Sequence, residues 1–179
     1  HQFYITNDDM NTGIMVSDAA VNIKPSEKTL KTVTETMVKS LKLLGIKTPK
    51  IAFLSASELV MENMESTVVA QNLKEWAREN IRDASFSGPL ALDLIISREA
   101  ALKKGLENDP VAGQSNGIVV PEIVSGNTLY KSLVYFAGGC AAGIVLGAKV
   151  PVLLTSRADP PEARLASIAL ASILSEEMP

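Results

Sequence analysis

Between Ser26 and Leu44 the apolar residues Leu30, Val33, Met37, Leu41 and Leu44 recur at spacings of 3, 4, 4 and 3. That is one stripe of an amphipathic helix with charges opposite. Pro25 and Ser26 mark its start, and Gly45 is placed for a left-handed C-terminal cap. Pro49 and Lys50 then introduce Ile51–Leu54, a short apolar run that reads as a buried strand. A second helix is predicted from Ser66 to about Ile81, with Val69, Leu73, Trp76 and Ala77 on one side. Ala84–Ser87 and Leu90–Ile96 flank Gly88-Pro89 as a strand and loop pair, and a short helix over Ser97–Lys104 ends at Gly105. Ile118–Val120, closed by Pro121, is a further strand, and Asn127–Ala137 is helical by pattern. Val150 and Val152–Leu154 form a last strand, and Pro161–Glu177 a last, alanine-rich helix. Residues 1–17 are weakly patterned. Short apolar strands alternating with longer helices predict an α/β fold, a mainly parallel sheet with helices on both faces. In such a sheet the loops at Ser125 and Thr155 are expected at the same end.

Composition narrows the chemistry. The 179 residues are 46% hydrophobic and 21% charged, enough apolar surface for a core and too much for a disordered chain. A formal charge of −3 gives no basic footprint for nucleic acid. With one cysteine and one histidine, internal disulfides, clustered-histidine or multi-cysteine metal sites and Ser-His-Asp chemistry are not expected. The longest uncharged stretch, Ser132–Ala148, is shorter than the ~20 apolar residues of a membrane span. One free thiol and no signal-like start favour a reducing cytoplasm. Cys140 lies among small apolar residues and reads as packing.

Ligands of such sheets bind in loops beyond the carboxyl ends of the strands. Three loops are candidates. In Ser125-Gly126-Asn127-Thr128, Asn127 can cap a helix whose free N–H groups would hold an anion, with Lys131 one turn along; an ordinary cap and a solvated lysine explain the pattern as well. In Thr155–Glu162, Asp159 and Glu162 fit a helix start, whereas Ser156 and Arg157 offer a hydroxyl and a planar guanidinium suited to phosphate. Phe86–Asp93 holds the Gly-Pro turn with Asp93 beyond it, which also fits a local hydrogen bond.

Taken in order, the stretches Ser17–Asn22, Gly88–Asp93, Asp109–Gly113, Ser125–Lys131 and Ala148–Pro151 through Ser156-Arg157 resemble the phosphate acyltransferases, the phosphate acetyl- and butyryltransferases. The wording Thr155-Ser156-Arg157-Ala158-Asp159 is closer to the butyryl-type branch. The resemblance implies reversible acyl transfer between coenzyme A and phosphate, with coenzyme A as substrate and neither metal nor prosthetic group. It implies two α/β domains of the isocitrate-dehydrogenase-like kind around a cleft, and a homodimer. Residues 1–179 would then be the central and C-terminal part, with the family's N-terminal domain expected upstream of His1 and the isolated piece inactive or nearly so. Ser156, Arg157 and Glu162 are the implied catalytic residues; Gly126, Asn127, Thr128, Lys131 and Asp93 are the implied phosphate and coenzyme A contacts. Ala163 stands where the classical branch has an acid, and Ser87 where many relatives have Asp. A non-catalytic acyl-CoA-binding or dimerisation module, and an isocitrate-dehydrogenase-type oxidoreductase, are the alternatives; no dinucleotide fingerprint or acidic metal cluster supports the latter.

Overall fold

Local chemistry sets the first helix as expected. In the computed structural model, which describes residues 1–6, 13–148 and 150–175, helix α1 spans Glu27–Leu43. The Ser26 side chain accepts the Thr29 amide at 3.2 Å, and Gly45 past the end has φ +89°. Leu30, Met37 and Leu41 are buried on its inner face. Helix α2 (Glu65–Asn80) buries Thr67, Ala70, Leu73 and Ala77. Helices α3 (Leu92–Ile96), α4 (Arg98–Lys103), α5 (Ile123–Tyr135) and α6 (Pro161–Ser175) complete the set.

The strands are β1 (Gln2–Thr6), β2 (Ile14–Ser17), β3 (Lys50–Leu54), β4 (Ser85–Leu90), β5 (Gly117–Val119), β6 (Cys140–Val145) and β7 (Val152–Leu153). They form one sheet in the order β4-β3-β5-β2-β1-β6-β7. β4, β3, β5 and β2 pair in parallel; β1 is antiparallel to both β2 and β6, and β7 is antiparallel to β6. Five strands therefore share one direction, with β1 and β7 reversed. One face carries α1 and α2 over Met15, Ile51, Phe53 and Phe86; the other carries α3, α4 and α5 over Phe3, Val16, Ala52 and Ile118. α6 packs on Ala142 and Ile144 through Leu170 and Leu174, beside the end of α1.

The differences from the sequence pattern have physical causes. The weakly patterned start supplies β1 and β2 near the sheet centre, buried on both faces and thus without alternation. β6 hides in the glycine- and alanine-rich stretch after Gly139, where small residues let α6 approach. Leu90–Ile96 is not a strand: β4 runs through the cis Gly88-Pro89 bond, and Leu92–Ile96 is helical. Proline is tolerated in β4 because that strand is the sheet edge. A short buried helix and a buried strand share the same apolar run. α5 begins four residues before Asn127, capped by Glu122. Lys149 of the Ala148–Pro151 motif, and Glu176 and Glu177 at the expected end of the last helix, lie outside the described residues.

Strand register refines the expectation for the two loops. β7 runs opposite to β5, yet its last residue, Leu153, is level through Ile144, Gln2 and Ser17 with Val119 at the end of β5. The segment after β7 then runs back beside α5, where Asp159 meets Tyr130.

Candidate functional site

At the carboxyl end of β2, Asp18 is 4% exposed and organises the turn that follows. Its Oδ1 accepts the Ala20 and Val21 amides at 2.9 and 3.0 Å, and its Oδ2 the Asn22 amide at 2.9 Å and the Asn22 side chain at 2.6 Å. Burial pushes the carboxyl up, but the amide donors of Ala20, Asn22 and Val21 hold it below the usual aspartate value. The Asp18 carbonyl presses on Gly126, where a Cβ would lie 2.4 Å away. Asn127 Nδ2 donates to the Ala19 carbonyl at 3.1 Å. Gly126 and Asn127 therefore join α5 to the β2 turn.

Asn127, inside α5, does not cap it. The Glu122 carboxylate accepts the Val124 and Ser125 amides, both at 2.7 Å, and the Ser125 hydroxyl. Burial pushes Glu122 up, and these donors more than offset it. The N–H groups expected to hold an anion are thus occupied by a carboxylate. A groove of about 810 Å3 opens here, between the starts of α1, α2 and α5. Each helix brings a glutamate to it: Glu27, Glu65 and Glu122, against the single cation Lys24. Its apolar floor and acidic rim disfavour phosphate.

The segment after β7 is built differently. Asp159 is 7% exposed, and both its oxygens lie within reach of the Tyr130 hydroxyl, at 3.0 and 3.2 Å. Its Oδ2 also accepts the Ser156 amide at 2.6 Å. Tyr130 is buried and stacks on Phe3 at 4.2 Å between ring centroids. Burial, then the Asp159 carboxylate, push the Tyr130 hydroxyl well above the usual tyrosine range, so it is a neutral donor. Ser156 is half-buried, its Oγ accepting the Ala158 amide at 3.3 Å. Arg157 is exposed and has no ion-pair or hydrogen-bond partner among the described residues, and Glu162 is exposed in the first turn of α6. Asp159 therefore turns back into the loop rather than capping α6.

Other candidates fall elsewhere. Lys131 holds its ammonium 4.5 Å from the Tyr130 ring centre, so it borders the Asp159 loop; Thr128, one turn earlier, is exposed. Asp93 is exposed in the first turn of α3, near Lys104, whose ammonium is held chiefly by Glu58. Ser87 donates to Asp109 at 2.5 Å, and Asp109 also accepts the Val111 and Ala112 amides, a local lock on the edge strand. The Cys140 thiol is pushed up by burial and by the Glu162 and Asp159 carboxylates, which disfavours the reactive thiolate. Among the described residues no three His, Cys, Asp or Glu side chains form a metal-binding group, and no helix is long and apolar enough to cross a membrane.

The sequence pattern assigns no role to Asp18, Glu122 or Tyr130, although Asp18 and Tyr130 lie in stretches that carry the family resemblance. Asp18 followed by Asn22, and Glu122 three residues before Ser125, are turn and cap signals that could have been read. Nothing local marks Tyr130, whose partner is 29 residues away.

The family profile described as Phosphate acetyl/butaryl transferase matches residues 3–172. A probable phosphate butyryltransferase of Bacillus subtilis is 44% identical over 170 residues, 94% of this chain and 56% of that protein. A phosphate acetyltransferase of Thermotoga maritima is 39% identical over 166 residues, 92% of this chain and 56% of that protein. The crystal structure of a branched-chain phosphotransacylase from Enterococcus faecalis superposes with a TM-score of 0.86 at 36% identity, covering 96% of this chain and 61% of that one. The chain spans about half the length of the curated relatives it matches.

Proposed function

The chain belongs to the phosphate acetyl/butaryl transferase family, and on that premise we propose that the whole protein transfers a short acyl group between coenzyme A and phosphate. In the direction of acyl-CoA synthesis, the coenzyme A sulfur attacks the acyl phosphate carbon, the C–S bond forms, and the C–O bond to phosphate breaks. Phosphate leaves with the electron pair, and the thiol proton passes to a carboxylate. Relatives named for both acetyl and butyryl transfer support the short-chain class.

One observation carries the assignment of the site. Arg157 stands exposed and unpaired among the described residues, on a turn whose backbone is fixed by a buried carboxylate. A guanidinium so placed can grip two phosphate oxygens at once. Ser156 beside it can donate to the charge that develops during transfer. Lys131, bordering the same loop, adds a second cation for phosphate or for coenzyme A. Asp159 is engaged by Tyr130 and Ser156, which leaves Glu162 as the acid of this segment free to take the thiol proton. Gly126 and Asn127 are assigned to the joint between α5 and the β2 turn. The same premise carries homodimeric assembly, to be checked by light scattering.

The test is phosphate-dependent release of coenzyme A from acetyl-, propionyl- and butyryl-CoA by the full-length protein. Release from at least one is expected, and none from any would leave a non-catalytic binding module. Arg157→Lys keeps the charge but loses the fork; if one charge-assisted bond of about 1.5–3 kcal/mol is lost, kcat/KM falls about tenfold or more. Unchanged phosphate dependence in that variant would remove Arg157 from the site.

A further inference from the structure

We propose that Tyr130 and Asp159 are a positioning pair that sets the Ser156–Arg157 turn for phosphate, and that Asp159 takes no part in proton transfer. The proposal rests on the phosphate acyltransferase assignment above. Two donors hold the Asp159 carboxylate: the Tyr130 hydroxyl, whose single proton is within reach of both oxygens, and the Ser156 amide on Oδ2. At 7% exposure the carboxylate is shielded from a substrate on the outer side of the turn. The same contacts explain the neighbouring guanidinium. A carboxylate two residues from an arginine is an ordinary ion-pair partner, and it would compete with an incoming anion. Here the carboxylate is drawn beneath the turn by Tyr130, and the exposed Arg157 has no partner among the described residues.

Tyr130 is itself held. Its ring stacks on Phe3 of β1 at an interplanar angle of 18°, and its backbone belongs to α5. The turn therefore takes its position from the sheet and from α5, not from β7, whose two residues are both exposed. A short exposed strand is a poor anchor for a group that must be placed to within a fraction of an ångström. The hydroxyl transmits the position of the core to the loop.

The experiment uses the full-length protein and Tyr130→Phe, which keeps the ring on Phe3 and deletes the hydroxyl. Loss of the hydroxyl should raise the phosphate KM about five- to tenfold, which is roughly 1–1.4 kcal/mol. The acyl-CoA KM should stay within twofold. Amide exchange at Ser156 should accelerate at least tenfold, since its acceptor is released. Asp159→Asn, which keeps one acceptor oxygen for Tyr130, should retain more activity than Asp159→Ala, and Tyr130→Phe combined with Arg157→Lys should lose less than the product of the single losses.

If Asp159 were the proton acceptor, Asp159→Asn would abolish turnover while Tyr130→Phe left it unchanged, and the proposal would fall. It would fall equally if Tyr130→Phe were folded and active with wild-type phosphate KM, whatever the exchange at Ser156. A wild-type protein with no phosphate-dependent release of coenzyme A would overturn the underlying assignment and the pair's role with it. An active wild type with an unaffected variant overturns the pair alone.

Discussion

Asp18 shows how one buried side chain can fix a turn and tune its own titration. Four donors of the segment from Ala20 to Asn22 converge on its two oxygens, and removing the carboxylate would take away the acceptor that fixes the turn. Because its pKa in the folded chain lies below the usual aspartate value, its contribution to stability is fully present above that usual value. The contribution is lost as pH falls through the lower folded value. Asp18→Asn should therefore be less stable than wild type at neutral pH, with a gap that narrows as acid protonates the wild-type carboxyl. Urea midpoints measured from neutral pH downward would show this, and a gap constant with pH would show that the charge is immaterial.

At the scale of elements, α5 is the piece through which both candidate segments are joined. Its start is held by Glu122, its first turn rests on the Asp18 carbonyl through Gly126, and its second turn reaches the Asp159 loop through Tyr130. Glu122→Ala removes the acceptor of two amides and a hydroxyl and should cost about 1 kcal/mol, as other caps do; chemical denaturation measures it. The same variant should leave phosphate affinity unchanged. Tighter phosphate binding in Glu122→Ala would mean instead that the helix N-terminus takes the anion once its own carboxylate is gone. The expectation of an Asn127 cap was reasonable from residue types, because Asn is a good cap and Glu122 a less common one. The competition was decided by where Ile23 and Asp18 hold the backbone, since the Ile123 amide donates to the Ile23 carbonyl.

In the whole molecule, β1 links the parallel strands to β6, β7 and α6. Phe3 is the pin of that link: it is 4% exposed, packs on Tyr130, and lies against Gly143, where an added Cβ would come within 2.9 Å of its ring. Phe3→Ala should cost about 3–5 kcal/mol. It should also raise exchange at the Gly143 amide, which donates to Ser167 of α6 at 2.9 Å, more than at the amides of β3. Equal loss of protection in both places would argue that the sheet unfolds as one unit. β1 could not be found from periodicity because both its faces are covered.

The sequence alone determined the amphipathic helices α1 and α2, the parallel core strands β3 and β5, and the ordered motifs that point to acyl transfer. Those features are local: stripes such as Leu30, Met37 and Leu41, caps such as Ser26, and short apolar runs each carry their own signal within one or two turns. Tertiary structure alone decided that β1 and β2 lie in the middle of the sheet, that β1 carries β6 and β7 beyond it, and that β7 runs opposite to β5. It also decided that Tyr130 claims Asp159, so that Arg157 has no partner among the described residues. These outcomes depend on which groups, far apart in the chain, are buried together and must satisfy one another's hydrogen bonds, a condition that no local pattern of residues records.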